Sequence, residues 1–164
     1  SNQEPQVVQM LQSIGIVPQG GGQPGMAADA DHALFRAARE GDCRVLERLL
    51  GERSGDQLIQ DVSPSGDTLL HTAAWHGQSQ VAAMLLARNH PVAHSSRNRS
   101  APLHYAAWQG HVQVAEALLD GQANLEQRML GGDTPLHQAA WQGHVAMLKL
   151  LIERGASVFA LKDD

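Results

Sequence analysis

Thr134-Pro-Leu-His137-Gln-Ala-Ala-Trp141-Gln-Gly143-His144 is the stretch on which the fold turns. Thr134 offers the side-chain oxygen of a good helix N-cap, and Pro135 stands at the next position, where a missing N–H costs nothing. Gly143 sits where a left-handed residue ends a helix. Ala139 and Ala140, with nothing beyond Cβ, let a neighbouring helix come close. Nearly the same string occurs twice upstream, as Thr68-Leu-Leu-His71-Thr-Ala-Ala-Trp75-His-Gly77 and as Ala101-Pro-Leu-His104-Tyr-Ala-Ala-Trp108-Gln-Gly110-His111. The three histidines are 33 residues apart, and so are the tryptophans and the glycines. A fixed period in this range marks a repeat solenoid.

A second helix follows each glycine. It carries Val81, Leu85 and Leu86 in one unit, Val114, Leu118 and Leu119 in the next, and Met147, Leu151 and Ile152 in the last. That spacing is close to 3.6 and makes one face apolar. Gly155 ends the last of these helices, and a turn leads from each unit to the start of the next. Neither helix of a unit buries its apolar face alone, so stacking of units must do so.

With these residues the chain resembles an ankyrin-repeat protein over roughly residues 63–161. The Thr-Pro-Leu-His-x-Ala-Ala-x-x-Gly-His string is complete in the third unit and nearly so in the second. The first unit departs from it, with Leu69 in place of proline. The resemblance implies an all-α solenoid of stacked helix–turn–helix units with hairpin-like turns, at 63–95, 96–128 and 129–161. A degenerate unit at 26–62 aligns through Ala33 to Asp42 at an offset of 36, with Phe35 in place of histidine. Arg44, Glu47 and Arg48 make its second helix polar, as a terminal cap requires.

Both ends depart from the pattern. Residues 1–25 carry Val7, Val8, Leu11 and Ile14 on one helical face, then a Gly/Pro/Gln linker from Gln19 to Gly25. Residues 162–164 read as the truncated start of a further unit. Leu148 and Leu150 are expected to remain apolar and uncovered. The reading is of a fragment of a longer protein, or of an end that something else covers, self-association being one way to do it.

Composition narrows the function classes. At 164 residues the chain has room for one domain or two very small ones, and 43% hydrophobic against 18% charged residues is globular composition. A net charge of −5 disfavours binding to a phosphate backbone, so no nucleic-acid partner is expected. Cys43 is the single cysteine, which excludes an internal disulfide and a CxxC motif and fits a reducing, intracellular setting, cytoplasm or nucleus. No apolar stretch approaches the roughly 18 residues of a membrane span, and no membrane partner is expected.

The nine histidines invite a metal hypothesis. It fails on spacing: one histidine per unit, with units stacked roughly 10 Å apart, does not close around zinc, whose ligands lie at about 2 Å. The resemblance instead gives His71, His104 and His137 structural hydrogen bonds between loops. Gly20-Gly-Gly lacks the Lys-Ser/Thr of a phosphate loop. Cys43, beside Arg44, reads as an inert thiol. No catalytic residue, cofactor or metal is implied, and the chain reads as a non-enzyme.

The tryptophans are the informative feature. Trp75, Trp108 and Trp141 share one position in the unit, and Arg39 takes it in the cap. In ankyrin folds that position lies on the concave surface, so stacking implies a row of indoles along a groove. Tyr105, one turn before Trp108, is expected to join it. Trp, Tyr and Arg are the types enriched at binding hot spots; the alternative is that the indoles only cover helix stems. His76, Gln109 and Gln142 adjoin the row. Among the turns, Arg97 and Arg99 suit a carboxylate or phosphate on a partner, and Met129 and Leu130 are expected to show two apolar side chains at a tip.

Two functions follow. One is a protein–protein interaction module that binds a partner segment in the concave groove, with Arg39, Trp75, His76, Arg97, Arg99, Tyr105, Trp108, Gln109, Met129, Leu130, Trp141 and Gln142 as contact residues. The other is a structural or regulatory spacer of a larger multidomain protein, with residues 4–17 acting as an internal or intermolecular groove ligand.

Overall fold

In the computed structural model, residues 28–53 and 55–159 are described. The segment at 1–25 and the start of a further unit at 162–164 lie outside them. The helices, in chain order, are α1 (Ala28–Glu40), α2 (Cys43–Leu50), the single turn α3 (Gly55–Leu58), α4 (Leu69–His76), α5 (Ser79–Ala87), α6 (Pro102–Gln109), α7 (Val112–Asp120), α8 (Pro135–Gln142) and α9 (Val145–Glu153). The described residues contain no strand, and the fold is an all-α solenoid.

Helices α1/α2, α4/α5, α6/α7 and α8/α9 form four pairs, and each pair packs on its neighbours in sequence order. The row of first helices, α1, α4, α6 and α8, is in closer contact than the row of second helices. Alanine is the reason: Ala73, Ala74, Ala106 and Ala107 are fully buried between neighbouring first helices. The second row meets through Val81, Leu85, Val114, Leu118, Met147 and Leu151, all fully buried. A row spaced by alanines is shorter than one spaced by leucines, so the array bends with the first helices on the inner side. Truncating one of these buried leucines to alanine costs about 2–5 kcal/mol.

Each first helix starts and stops as its sequence dictates. Thr134 accepts from the His137 N–H, and Pro102 and Pro135 occupy the first helical position. Gly77, Gly110 and Gly143 end the helices in the left-handed region, at φ of +71, +75 and +71°. Glycine is needed at the first two for a second reason. A Cβ at Gly77 would lie 2.6 Å from the His111 ring, and one at Gly110 would lie 2.7 Å from the His144 ring.

The cap differs as its polarity requires. Arg44, Glu47 and Arg48 face solvent while Leu46 and Leu50 are buried. Asp42 caps α2 through the Val45 N–H at 3.1 Å. Arg88 ties the cap to the next pair by donating to the Gly51 carbonyl at 2.7 Å.

At the other end one expectation is corrected. Leu150 is 7% exposed and part of the core, and Leu148 is half-buried against it. The uncovered side chains are Val145, Ile152, Val158 and Phe159, the last 85% exposed. Ile152 is 48% exposed although Leu119, one unit earlier, is 8% exposed. Position within the unit is the same, but among the described residues a further helix pair follows Leu119 and none follows Ile152.

Candidate partner-binding face

The inner side is built from the first helices and from the turns that precede them. Histidine fastens each turn to its helix. The Nδ1 of His71 accepts from the Thr68 N–H at 3.1 Å and its Nε2–H donates to the Ser100 carbonyl at 2.8 Å, one unit further on. His104 repeats this, with the Ala101 N–H at 3.1 Å and the Asp133 carbonyl at 3.2 Å. His137 accepts from the Thr134 N–H at 2.9 Å. Burial pushes the pKa of both His71 and His104 down to about 4, so both rings are neutral and their two nitrogens are spent on these bonds. They are structural bridges. Among the described residues, no three His, Cys, Asp or Glu side chains are grouped to hold a metal ion.

A second set of bridges holds the groove row. His111 Nε2–H donates to the Trp75 carbonyl at 3.1 Å, and His144 Nε2–H donates to the Trp108 carbonyl at 2.9 Å. Gln78 does the same for the Arg39 carbonyl at 2.8 Å. Arg39, Trp75 and Trp108 are therefore each pinned by the unit that follows.

The row itself is graded. Trp75 and Trp108 are half-buried, Trp141 is 71% exposed, and Arg39 is exposed. The described indoles make no ring contact with one another. Tyr105, expected beside Trp108, instead meets Trp75 edge-on across the unit boundary, with ring centroids 5.5 Å apart, and meets His71 at 5.3 Å. The Tyr105 hydroxyl explains the choice: it donates to Asp67 Oδ1 at 2.6 Å. Burial, and then the Asp67 carboxylate, raise the phenol pKa well above its ordinary value, which keeps the proton on the donor. Asp67 Oδ2 accepts from Ser65, so the ring is tied into the first turn. Beside the row, His76 is exposed, Gln109 half-buried and Gln142 exposed. Burial, and then the neighbouring Arg39 charge, lower the His76 pKa.

The turns 63–67, 96–100 and 129–133 are closed alike. Ser63, Ser96 and Met129 donate through N–H to the carbonyls of Asp67, Ser100 and Asp133 at 2.8, 3.0 and 3.0 Å. The turns are also linked in series, by Arg97 N–H to the Ser65 carbonyl at 2.9 Å and Leu130 N–H to the Asn98 carbonyl at 2.7 Å. Leu130 is 66% exposed at its tip. Met129 is not the second tip residue that the sequence reading expected. It is half-buried, and its sulfur accepts from Ser100 Oγ at 3.9 Å. Arg97 and Arg99 are exposed, and neither has an ion-pair partner among the described residues.

Sequence reasoning missed Asp67 and Ser65 as the support of this face. The signal was present: Tyr105 stands where the sister units carry Thr72 and Gln138, and a half-buried phenol needs an acceptor.

A family model for ankyrin repeats, in three copies, matches residues 34–129 and 90–161. The chain belongs to the ankyrin-repeat family. No curated protein matches it. Ankyrin repeats are generally protein–protein interaction modules, and the family is typically non-enzymatic. The resemblance read from the Thr-Pro-Leu-His string is borne out, as is the helical solenoid it implied. Among the described residues, no helix of this ankyrin array is long and apolar enough to cross a membrane.

Proposed function

We propose that the inner face of this array binds an extended segment of a protein partner, with Trp75, Trp108 and Trp141 as its apolar contacts. The observation that carries the reading is the combination of pinning and exposure. Each backbone carbonyl at Trp75 and Trp108 is held by a histidine of the next unit, yet the indoles form no closed cluster with one another. Rigid aromatic side chains with available edges supply contact area at low ordering cost. Arg39, His76, Gln109 and Gln142 flank the row and offer polar contacts to the segment's backbone.

The test is selection from a displayed random-peptide library on the full chain and, in parallel, on a Trp108→Ala/Trp141→Ala variant shown to be folded by circular dichroism. Sequences enriched on the parent protein and lost on the variant are the expected result. Enriched peptides that bind both proteins equally would place the binding surface elsewhere.

A further inference from the structure

We propose that the turn 96–100 reads acidic residues: Arg97 and Arg99 together receive an Asp or Glu carboxylate of the segment lying along the row of indoles. The proposal rests on the groove reading above and adds to it the chemistry of the occupant.

Arg99 carries the argument. It lies at φ +63°, in the left-handed region, whereas the same position in the sister turns is Gly66 at +82° and Gly132 at +86°. The turn has no use for a side chain there. The Arg99 N–H donates to the Ser96 carbonyl at 2.9 Å, and Gly66 and Gly132 make the matching bonds at 2.8 and 2.9 Å. Two units thus solve the backbone with glycine, and one holds a long cation in a conformation that L-residues resist. Side chains held in such regions cluster at functional sites.

Charge distribution is the second, independent observation. Over 63–76, 96–109 and 129–142 the acidic residues are Asp67 and Asp133, 5% and 9% exposed. Arg97 and Arg99 are the only exposed charged side chains of those stretches. The turns and first helices of the last three pairs therefore present positive charge with no exposed carboxylate of their own, although the chain as a whole carries −5.

The turn is also rigid before anything binds. Ser96 Oγ donates to Asn98 Oδ1, and the Ser100 N–H donates to the same oxygen at 3.1 Å. The Arg97 N–H is held by the Ser65 carbonyl, the Ser65 hydroxyl donates to Asp67, and Asp67 accepts from the Tyr105 hydroxyl, whose ring meets Trp75 edge-on. The arginine turn and the first indole are thus joined by an unbroken run of hydrogen bonds and one ring contact. A carboxylate at Arg97/Arg99 and an apolar side chain against Trp75 would be recognised in fixed register. Arginine suits this because its planar fork pairs with carboxylate in two bonds.

The test uses the full chain and three selections from one displayed random-peptide library: on the parent protein, on Arg97→Ser/Arg99→Gly, and on Trp75→Ala/Trp108→Ala. Enrichment of Asp and Glu on the parent protein, lost on the arginine variant while the apolar consensus persists, is the expected result. Equal acidic enrichment on both overturns the carboxylate inference and leaves the groove reading standing. Acidic enrichment unchanged on the tryptophan variant overturns the groove reading instead, and no enriched sequence at all overturns both. A synthetic peptide from the selection is then measured by fluorescence polarisation with its acidic position as Asp, Asn or phosphoserine. Asn should weaken binding by about ten-fold or more. Tight binding of phosphoserine, with Asp no better than Asn, would overturn the carboxylate assignment. The single variant Arg99→Gly should melt about 2–4 °C higher and bind the Asp peptide more weakly; a lower melting temperature would mean that Arg99 serves the fold.

Discussion

Gly110 and Gly143 hold the same place in successive units and nearly the same backbone, at φ +75 and +71°, but their surroundings differ. A Cβ at Gly110 would stand 2.7–2.9 Å from three atoms of the His144 ring, while one at Gly143 would meet nothing within 4 Å. Substitution by alanine puts both in the left-handed region, at roughly 1–2 kcal/mol each. The smaller entropy of the unfolded chain offsets about 0.4–1 kcal/mol of that. Gly143→Ala should therefore cost about 1 kcal/mol. Gly110→Ala must in addition displace the His144 ring and break its bond to the Trp108 carbonyl at 2.9 Å. Losing that bond costs about 0.5–1.5 kcal/mol, and moving the ring adds to it. Gly110→Ala should thus exceed Gly143→Ala by about 1–3 kcal/mol in urea denaturation followed by far-ultraviolet circular dichroism. Gly77→Ala, with its Cβ site 2.6 Å from His111, should behave like Gly110→Ala. Equal destabilisation at 110 and 143 would refute the reasoning, since the glycines would then serve backbone conformation alone.

Trp141→Ala should change stability by less than about 0.5 kcal/mol because the indole is 71% exposed. Trp75→Ala should cost more, since it loses the edge contact to Tyr105, worth about 0.5–1.5 kcal/mol beyond burial; equal urea midpoints for the two variants would contradict this. Tyr105→Phe removes the proton donated to Asp67 and leaves a buried carboxylate short of a donor, at about 1–3 kcal/mol. A double-mutant cycle with Asp67→Ala checks it, and strict additivity would show no coupling. His71 and His104 are neutral in the folded protein because burial lowers each pKa from 6.5 to about 4. The unfolded chain takes up those protons first, so stability is whole above pH 6.5 and falls as pH drops toward 4. The slope is roughly 1.4 kcal/mol per pH unit for each histidine. Urea midpoints at pH 7.5 and 5 should show the loss, and midpoints that coincide would refute it.

What the sequence made legible was whatever acts within one unit. Thr134, Pro135 and Gly143 mark helix limits by local chemistry, and the alanine pairs mark the close row. What stayed hidden acts between units. Helical spacing alone pairs Tyr105 with Trp108, one turn on, yet its partner Asp67 is 38 residues away and the ring meets Trp75. Ile152 fits the apolar spacing of its own helix as well as Leu119 does, but whether it is covered depends on a neighbour, which helical periodicity does not encode. Met129 and Leu130 are adjacent in one turn, yet the half-buried one meets the Ser100 hydroxyl of the preceding unit, a contact 29 residues away that the turn itself does not encode.

The side chains of Gln78, His111 and His144 all reach toward the preceding unit, and so give the row of indoles a direction, opposite to that of the His71 and His104 bridges. Removing the last helix pair would release the Trp108 carbonyl, whereas removing the cap would leave the clasps on Trp75 and Trp108 in place. The two ends of this row are then unequal under trimming: loss of pairs from the far end frees the indole carbonyls one at a time, whereas loss of the cap frees neither of them.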